Sequence, residues 1–318
     1  MSDISRAIKP NVLYGNMTFL KRINEQKYLL ILVIPAVIWM LVFCYWPIYG
    51  VTIAFKEYNV AKGVMGSPWI GFKYFNELFS DPLFYNSLKN TMIISFLKLI
   101  SGFPIPVIFA ILLNELTYVN MYKRVVQTIS YLPHFLSWVF VVGFMANFLS
   151  NSGLINTMII TLGISDNPIA FLAEPKWFVL VVVLSDVWKS FGFNSIIFLA
   201  AITTIELKLY ESATIDGASR FQKIWYVTLP SIKPTIVVLF ILAVSNLINQ
   251  NFDQLYLLQN PLVSDSSRIL EIYTYEIGLK KARFSYATAI GIFKSITAFI
   301  LLISANTLSR KLTDESVY

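Results

Sequence analysis

The sequence predicts an all-α polytopic membrane protein with six transmembrane helices. Hydrophobic residues make up 56% of the 318 residues, charged residues only 14%, and the mean hydropathy is +0.65. These values lie far from soluble averages, and nearly uncharged stretches of the ~20 residues that span a bilayer recur along the chain. Because backbone polar groups in lipid must be satisfied within their own segment, each stretch is predicted to be a helix.

The six apolar segments follow one another along most of the chain. In order they are Tyr28–Phe55, Asn90–Leu116, Val125–Leu149, Trp177–Ile202, Thr235–Leu258 and Phe284–Leu308. The first starts too late and runs too long for a cleaved signal peptide, so it is expected to remain in the mature protein. Residues 1–27 are predicted to be a cytoplasmic N-terminal segment, residues 28–310 the membrane domain and residues 311–318 a cytoplasmic tail.

The basic residues predict the orientation of the chain. With the N-terminus inside, thirteen Lys and Arg residues fall in inside segments and nine in outside loops. This bias favours cytoplasmic termini and a cytoplasmic loop at residues 206–234. The net charge of +7 is spread over short segments between apolar runs, without a basic stripe interleaved with aromatics, so it indicates topogenic charge and not nucleic-acid binding.

Several chemical classes are excluded by residues that the sequence lacks. Cys44 is the one cysteine and His134 the one histidine, which leaves no paired thiols and no His-based metal or catalytic cluster. The chain also contains neither H-E-x-x-H nor the nucleotide-binding pattern G-x-x-x-x-G-K-[ST]. We therefore expect no metal site, no enzymatic centre and no cofactor bound by this chain itself.

The predicted cytoplasmic loop interrupts the apolar sequence with a compact, charged segment, ESATIDGASRFQKIWYVTLP, from Glu211 to Pro230. The pattern predicts a helix, a tight turn, and a second helix that prolines stop: Ile205–Thr214, Asp216-Gly217, Ser219–Val227, then Pro230 and Pro234. One interpretation is an interfacial linker that Tyr and Trp residues anchor at the headgroups. The other is a knob that docks on a second protein.

The residues around the turn favour docking. They combine small and acidic side chains at one bend: Glu211, Ala213, Asp216, Gly217 and Ala218. Small residues let another backbone approach closely, and carboxylates offer partners to arginine. We call residues 206–234 the coupling loop, and its helix, turn and helix the knob.

The same residues resemble a known signature. Glu211 to Ala218, followed by Thr228-Leu-Pro, resembles the EAA motif of the transmembrane subunits of bacterial ABC importers, with Ser212 and Val227 as mild departures. Tyr131-Leu-Pro-His-Phe, Ser185-Asp-Val-Trp-Lys and Phe252-Asp-Gln-Leu-Tyr-Leu-Leu extend the likeness over nearly the full chain. These segments are similar to maltose-type carbohydrate permeases, above all the polysaccharide and oligosaccharide group of low-GC Gram-positive bacteria.

The resemblance implies a type I ABC importer permease fold in the bacterial cell membrane and the import of an oligosaccharide. It implies a second homologous permease and two copies of a cytoplasmic ABC ATPase, which bind ATP and Mg²⁺ and clasp the knob. It also implies an extracellular sugar-binding protein of the lipoprotein type. The permease itself is then not an enzyme.

A sugar site is predicted on the fifth helix, where polar residues cluster at Asn246, Asn249, Gln250, Asn251, Asp253 and Gln254. Asn246, Asn249 or Gln250, and Asp253 would share one helical face. Amides donate and accept hydrogen bonds, which suits sugar hydroxyls. The alternative role is hydrogen bonding between helices, worth about 0.6 kcal/mol per bond, but this role would account for only one or two of the six polar residues. By resemblance, Asn251 matches a position that lines the sugar site of maltose-type relatives.

Aromatic and charged residues in other helices are further candidates. Trp138, Trp188, Phe191 and Phe193, with Asn194 nearby, either stack on sugar rings or simply pack. The charged residues within or near the spans are Lys98, Asp186, Lys189 and Lys294. Asp186 and Lys189, at i and i+3, are expected to pair with each other. A polar wall with one acid and no base favours a neutral sugar.

Two alternative functions belong to other classes. A secondary transporter or channel for a small polar solute would need carboxylates for a coupling ion deep in the bundle and often shows inverted repeats. An intramembrane enzyme would need paired carboxylates or a nucleophile with its base. The sequence shows neither pattern clearly, and an importer subunit should neither hydrolyse ATP nor move solute alone.

Overall fold

A computed structural model describes residues 26–116, 120–249 and 252–313. The described residues divide into two compact units, the first comprising those up to residue 53 together with 58–68, and the second comprising 54–57 together with those from residue 69 onward. In the first unit, α1 (Lys27–Met40) continues through a π-helical turn, and α2 (Gly63–Gly66) follows. Nearly all of the predicted N-terminal segment and most of the tail lie outside the described residues.

The second unit contains the rest of the helices. They are α3 (Lys73–Leu78), α4 (Pro82–Gly102), α5 (Pro104–Glu115), α6 (Asn120–Tyr131), α7 (Trp138–Phe148), α8 (Leu154–Thr161), α9 (Pro175–Thr203), α10 (Leu207–Ile215), α11 (Arg220–Lys223), α12 (Leu229–Ser245), α13 (Phe252–Leu258), α14 (Ser264–Ser267), α15 (Leu270–Tyr275) and α16 (Phe284–Thr313). Within the described ranges, β pairing is limited to one isolated bridge between Lys56 and Trp69. The all-α class is confirmed.

The described residues contain five helical stretches that are long and apolar enough to cross a membrane. They are Lys27–Phe55, Pro82–Glu115, Pro175–Thr203, Arg220–Ser245 and Phe284–Lys311. A sixth span is obtained when the bent pair Met121–Phe135 and Trp138–Phe148 is counted as one. The chain is therefore a multi-pass membrane protein, as its hydropathy predicts.

The third predicted span, Val125–Leu149, is not one straight helix. Its two halves meet at 98°, with a 3₁₀ turn at Leu132–Phe135 between them. Pro133 cannot donate a backbone hydrogen bond, and Ser137 begins a new helix by accepting one from the Phe140 amide at 3.3 Å. The prediction of a continuous helix was wrong because it counted hydropathy without these two signals.

The fifth predicted span, Thr235–Leu258, is also interrupted. Helix α12 ends at Ser245, and the next described helix begins at Phe252. At the break, the Asn246 side chain donates to the Leu242 carbonyl at 3.1 Å, the local competition with helix that asparagine favours. The prediction that Asn246, Asn249 and Asp253 share one helical face was therefore wrong.

The two prolines of the coupling loop do not stop the second helix of the knob. A π-helical turn at Ile224–Thr228 joins α11 to α12, so Arg220–Ser245 forms one span of 26 residues. Pro230 lies in the first turn of α12 and Pro234 inside the helix. The irregular π turn directly before Pro230 is the kind of distortion at which a helix accommodates proline.

The N-terminal end of α4 is tied to α15 and α16 by a half-buried carboxylate. Asp81 accepts from the Leu83 amide at 2.8 Å and from the hydroxyls of Tyr273 and Tyr286. Burial acts to raise the pKa of Asp81, but these hydrogen bonds outweigh it and lower the pKa. Burial and the bond to Asp81 raise the pKa of Tyr273, so this phenol stays a donor.

A glycine allows two helices of the bundle to approach each other closely. Helix α9 packs against α4, α5 and α6. A Cβ atom placed on Gly192 of α9 would lie only 2.1 Å from the carbonyl oxygen of Ser130 in α6. The two backbones can therefore approach this closely only because residue 192 lacks a side chain, as small residues allow in membrane helix pairs.

Replacing Gly192 by Ala is expected to destabilise the protein by about 1–3 kcal/mol, because helix α6 must move away. Thermal unfolding in detergent measures the effect. Gly102→Ala is the matched control, since a Cβ there would meet Val187 at an ordinary 3.7 Å. Equal melting temperatures for both variants would contradict the close approach.

Candidate functional site

A polar pocket of about 260 Å³ lies between α4, α9 and the end of α12. Its polar lining consists of Ser95, Lys98, Asp186, Ser190, Asn194, Asn246 and Asn249. Lys98 stands at the midpoint of the span Pro82–Glu115, so the pocket lies deep in the bundle. Polar groups at such depth normally face a bundle interior or a water-filled path.

Helix α9 supplies one polar stripe of the pocket. Asp186, Ser190 and Asn194 follow one another at i, i+4 and i+8, so they share one helical face. The end of α12 supplies the opposite amides, Asn246 and Asn249. Because α12 ends at Ser245, these two amides stand on irregular backbone, which a membrane protein tolerates where that backbone lines a cavity.

The charged residues of the pocket pair differently from the prediction. Lys98 forms an ion pair with Asp186 at 3.4 Å, whereas Lys189 donates to the His134 carbonyl at 2.6 Å and lies over the Trp138 ring. The close ion pair of Asp186 is thus formed with a residue of another helix, whereas the prediction was a pair with its neighbour Lys189. The sequence could not show this, because spacing along one helix says nothing about the residues of another.

Gln254 joins the pair to a third helix. Its side-chain oxygen accepts from Lys98 at 2.7 Å, and its nitrogen donates to the Val182 carbonyl at 2.7 Å and to Ser185 Oγ at 2.9 Å. Gln254 is fully buried. For this amide the interpretation as interhelical glue holds, and we call Lys98, Asp186 and Gln254 the polar junction.

The structure brings together only part of the predicted sugar site. Asn194, Asn246 and Asn249 line the pocket. Gln250 and Asn251 lie outside the described residues, and Asp253 is exposed at the start of α13. Lys98, Asp186 and Ser190 were not predicted as pocket residues, although charge at membrane depth was the signal that marked the first two.

The predicted aromatics lie apart from the polar pocket. Trp188 lines a separate apolar cavity of about 520 Å³ together with Phe140 and Phe144, while Trp138 lies beneath Lys189. The other two rings pack on neighbours: Phe191 on Phe109 with centroids 5.0 Å apart, and Phe193 on His134 at 3.9 Å. In this chain these contacts agree with the packing alternative for Phe191 and Phe193.

The knob has the predicted helix, turn and helix. Helix α10 ends in a turn where Gly217 has a φ of +75°, a conformation that favours glycine. The Ala218 amide closes this turn by donating to the Ala213 carbonyl at 2.9 Å. Glu211, Asp216 and Gly217 are exposed, so the acidic and small surface at the bend is open to a partner.

Two hydrogen bonds hold the arms of the knob together. Lys223 donates to Thr214 Oγ1 at 2.8 Å near the turn, and Tyr210 and Thr228 share a bond of 2.9 Å at the base. A reciprocal capping box between Ser219 and Gln222 starts α11. The first helix of the knob, α10, is thus fixed to its second helix, α11. The π turn continues α11 into the span Arg220–Ser245, and the residues that follow Ser245 line the pocket.

These features define a class: a multi-pass helical membrane protein with a polar pocket deep in its bundle and an exposed helix-turn-helix knob on a connecting loop. Residues 78–314 match the family described as binding-protein-dependent transport system inner membrane component. The chain belongs to this family. It is the permease subunit of an ABC importer, as the sequence predicts, and not an enzyme.

Similar curated proteins support the same assignment. The chain is 41% identical to the polygalacturonan/rhamnogalacturonan transport system permease protein YteP of Bacillus subtilis (strain 168), over 93% of this chain and 92% of that protein. It is 39% identical to protein LplB of the same organism, over 95% and 94% of the two chains.

Two solved structures have the same fold. One is a bacterial ABC transporter involved in the import of the acidic polysaccharide alginate, with a TM-score of 0.84 and 40% identity over 92% of this chain and 99% of that one. The other is a bacterial alginate ABC transporter in complex with an alginate pentasaccharide-bound periplasmic protein, with a TM-score of 0.85 and 39% identity over 94% and 99%. The type I permease fold is confirmed.

Replacing both Asn246 and Asn249 by Leu is expected to abolish transport while leaving membrane insertion intact. The change removes hydrogen-bonding groups from the pocket and makes the segment more apolar. Uptake by cells that carry only the variant, with the amount of membrane-inserted chain measured in parallel, gives the result. Asn147→Leu on α7, outside the pocket lining, is the matched control, and unchanged uptake by the double variant would exclude the pocket as the path.

Proposed function

We propose that this chain imports an oligosaccharide and forms half of the path through the membrane, with a second, homologous permease as the other half. The pocket combines amides, hydroxyls and one carboxylate, groups that pair with sugar hydroxyls. Two of its relatives carry names that refer to polygalacturonan, rhamnogalacturonan or alginate. Both lines support a carbohydrate cargo.

The energy comes from two copies of a cytoplasmic ABC ATPase, which bind ATP and Mg²⁺. The chain itself lacks the pattern G-x-x-x-x-G-K-[ST]. The knob could dock in a cleft of the ATPase, because it presents an open glycine turn, two small alanines and the carboxylates of Glu211 and Asp216. These residues are our candidates for coupling.

The sugar is delivered by an extracellular binding protein of the lipoprotein type. The support comes from the family description and from the related alginate transporter, which was solved in complex with an alginate pentasaccharide-bound periplasmic protein. The basic residues favour cytoplasmic N- and C-termini, which places the coupling loop on the side of the ATPases and the α7–α8 loop on the side of the binding protein.

The observation that carries the proposal is the continuous helix Arg220–Ser245. Its first turn belongs to the knob, and the residues that directly follow its last turn, Asn246 and Asn249, line the pocket. When the ATPases close on ATP and displace the knob, this helix carries the displacement to the two amides. The amides then shift relative to Asp186 and Ser190 on α9, and this shift changes the affinity of the pocket for the sugar.

A reconstituted system tests this function. We expect the chain to copurify with a second permease and two ATPase copies, and vesicles with this complex to take up labelled oligosaccharide only with ATP on the ATPase side and loaded binding protein on the other. A stable homodimer that transports without an ATPase would contradict the proposal and favour a secondary transporter or channel.

Replacing Gly217 by Phe is expected to uncouple the complex. The bulky side chain would hold the ATPase surface away, and the φ of +75° adds backbone strain. Sugar-stimulated ATP hydrolysis and the amount of ATPase retained on the purified permeases are both expected to fall. Glu211→Ala, which removes a charge-assisted hydrogen bond, should have a smaller effect.

Gly163→Phe is the matched control for strain, because Gly163 has a similar φ of +69° and open space around its Cβ position, but lies outside the knob. Normal stimulation and normal ATPase retention in Gly217→Phe would mean that the knob is only an interfacial linker.

A further inference from the structure

The polar junction places a carboxylate on the wall of the pocket, where a sugar would lie. Asp186 is 19% exposed, whereas Lys98 is 8% exposed and Gln254 is fully buried. Of the three residues, Asp186 therefore has the largest exposed fraction of its side chain. Both Lys98 and Asp186 are among the lining residues.

Lys98 is held from the protein side of this wall. Gln254 turns its oxygen to Lys98 at 2.7 Å because its nitrogen already donates to the Val182 carbonyl and to Ser185. The ammonium group is thus fixed between an amide oxygen and the Asp186 carboxylate. A lone carboxylate at this depth would be costly, and the nearby ammonium offsets that cost.

We propose that Asp186 is a substrate-binding residue that accepts hydrogen bonds from sugar hydroxyls, and that Lys98 is a positioning residue that holds this carboxylate at the wall of the pocket. The inference rests on the proposed carbohydrate function. Asp186 lines the pocket, and a carboxylate offers about four lone-pair sites, so its ion pair with Lys98 at 3.4 Å is compatible with hydrogen bonds from a sugar on the cavity side.

The neighbours of Asp186 suit a ring with several hydroxyls. Ser190 and Asn194 continue the same face of α9, and Asn246 and Asn249 stand opposite. The Ser190 hydroxyl donates to the Asp186 backbone carbonyl at 2.6 Å, so its oxygen remains an acceptor toward the pocket. Carboxylate, hydroxyl and amide groups then receive the hydroxyl protons of one glycosyl unit.

The charge of the junction also sets which sugar groups this pocket accepts. Among the described residues that line the pocket, Lys98 is the one cation and it is paired with Asp186, so the carboxylate of a uronic acid would enter beside Asp186 without an unpaired cation on the lining to meet it. Like charges at this depth repel strongly. The pocket therefore binds ring hydroxyls, and any carboxylate of an acidic oligosaccharide must lie elsewhere along the path.

The test uses the reconstituted complex and a panel of labelled oligosaccharides from galacturonan, rhamnogalacturonan and alginate, each also in its carboxyl-reduced, neutral form. The variants are Asp186→Asn and the double variant Lys98→Met with Asp186→Asn, which removes both charges together. We expect the double variant to assemble normally, and both variants to need about ten- to a hundredfold more sugar for half-maximal uptake, in the acidic and the reduced form alike.

A second intramembrane ion pair provides the matched control. Lys294 pairs with Glu271 outside the pocket lining, so the double variant Lys294→Met with Glu271→Gln removes an equivalent pair and should keep the wild-type sugar concentration for half-maximal uptake. If the pair at Lys98 and Asp186 is only structural, its double variant will behave like this control.

Three results would overturn the inference or its basis. An unchanged half-maximal concentration in the assembled Lys98→Met, Asp186→Asn variant would show that Asp186 does not contact the sugar. A lower half-maximal concentration of an acidic oligosaccharide for Asp186→Asn than for the wild type would show that Lys98 binds a carboxylate of the sugar. Absence of uptake of every panel member by the wild-type complex would instead contradict the carbohydrate function itself.

Discussion

The architecture around the pocket depends on Gln254, the fully buried member of the polar junction, which ties α13 to α9 and α4. A polar side chain deep in a membrane bundle must find partners within the protein, and here α4, α9 and α13 each contribute one. Gln254 anchors α13 against α9 at a point just beyond the interrupted backbone that follows α12. Gln254 thus fixes α13 on the far side of this break, and the pocket forms beside it.

The same interruption connects chemistry with movement. Because α12 ends at Ser245, its last turn delivers Asn246 and Asn249 to the pocket, while its first residues continue without a break into the π turn and the knob. A helix that joins the exposed knob to the pocket without a break can act as a lever, which carries a movement of the knob to the two amides. The hydrogen bonds Lys223 to Thr214 and Tyr210 to Thr228 keep that exposed end rigid.

Much of this fold can be predicted from the sequence, because hydropathy and turn chemistry act locally. The Asp216-Gly217 turn and the six apolar segments follow from such signals. The bend after Tyr131 and the break after Ser245 were missed because single residues, Pro133 and Asn246, override an apolar pattern there. The pairing of Asp186 with Lys98 was unpredictable in principle from spacing, since it joins helices that are distant in sequence, and only their packing brings the two charges together.

The most direct test of the account is whether Arg220–Ser245 moves as one body. In a chain with Cys44→Ser, spin labels at Phe221 and Leu242, both exposed, should lie about 30 Å apart. We predict that this distance stays constant when the assembled complex binds ATP, while the distance from Phe221 to a label at Leu180 on α9 changes by several Å. A Phe221 to Leu242 distance that changes with ATP, with the helix bending at its π turn, would contradict the lever.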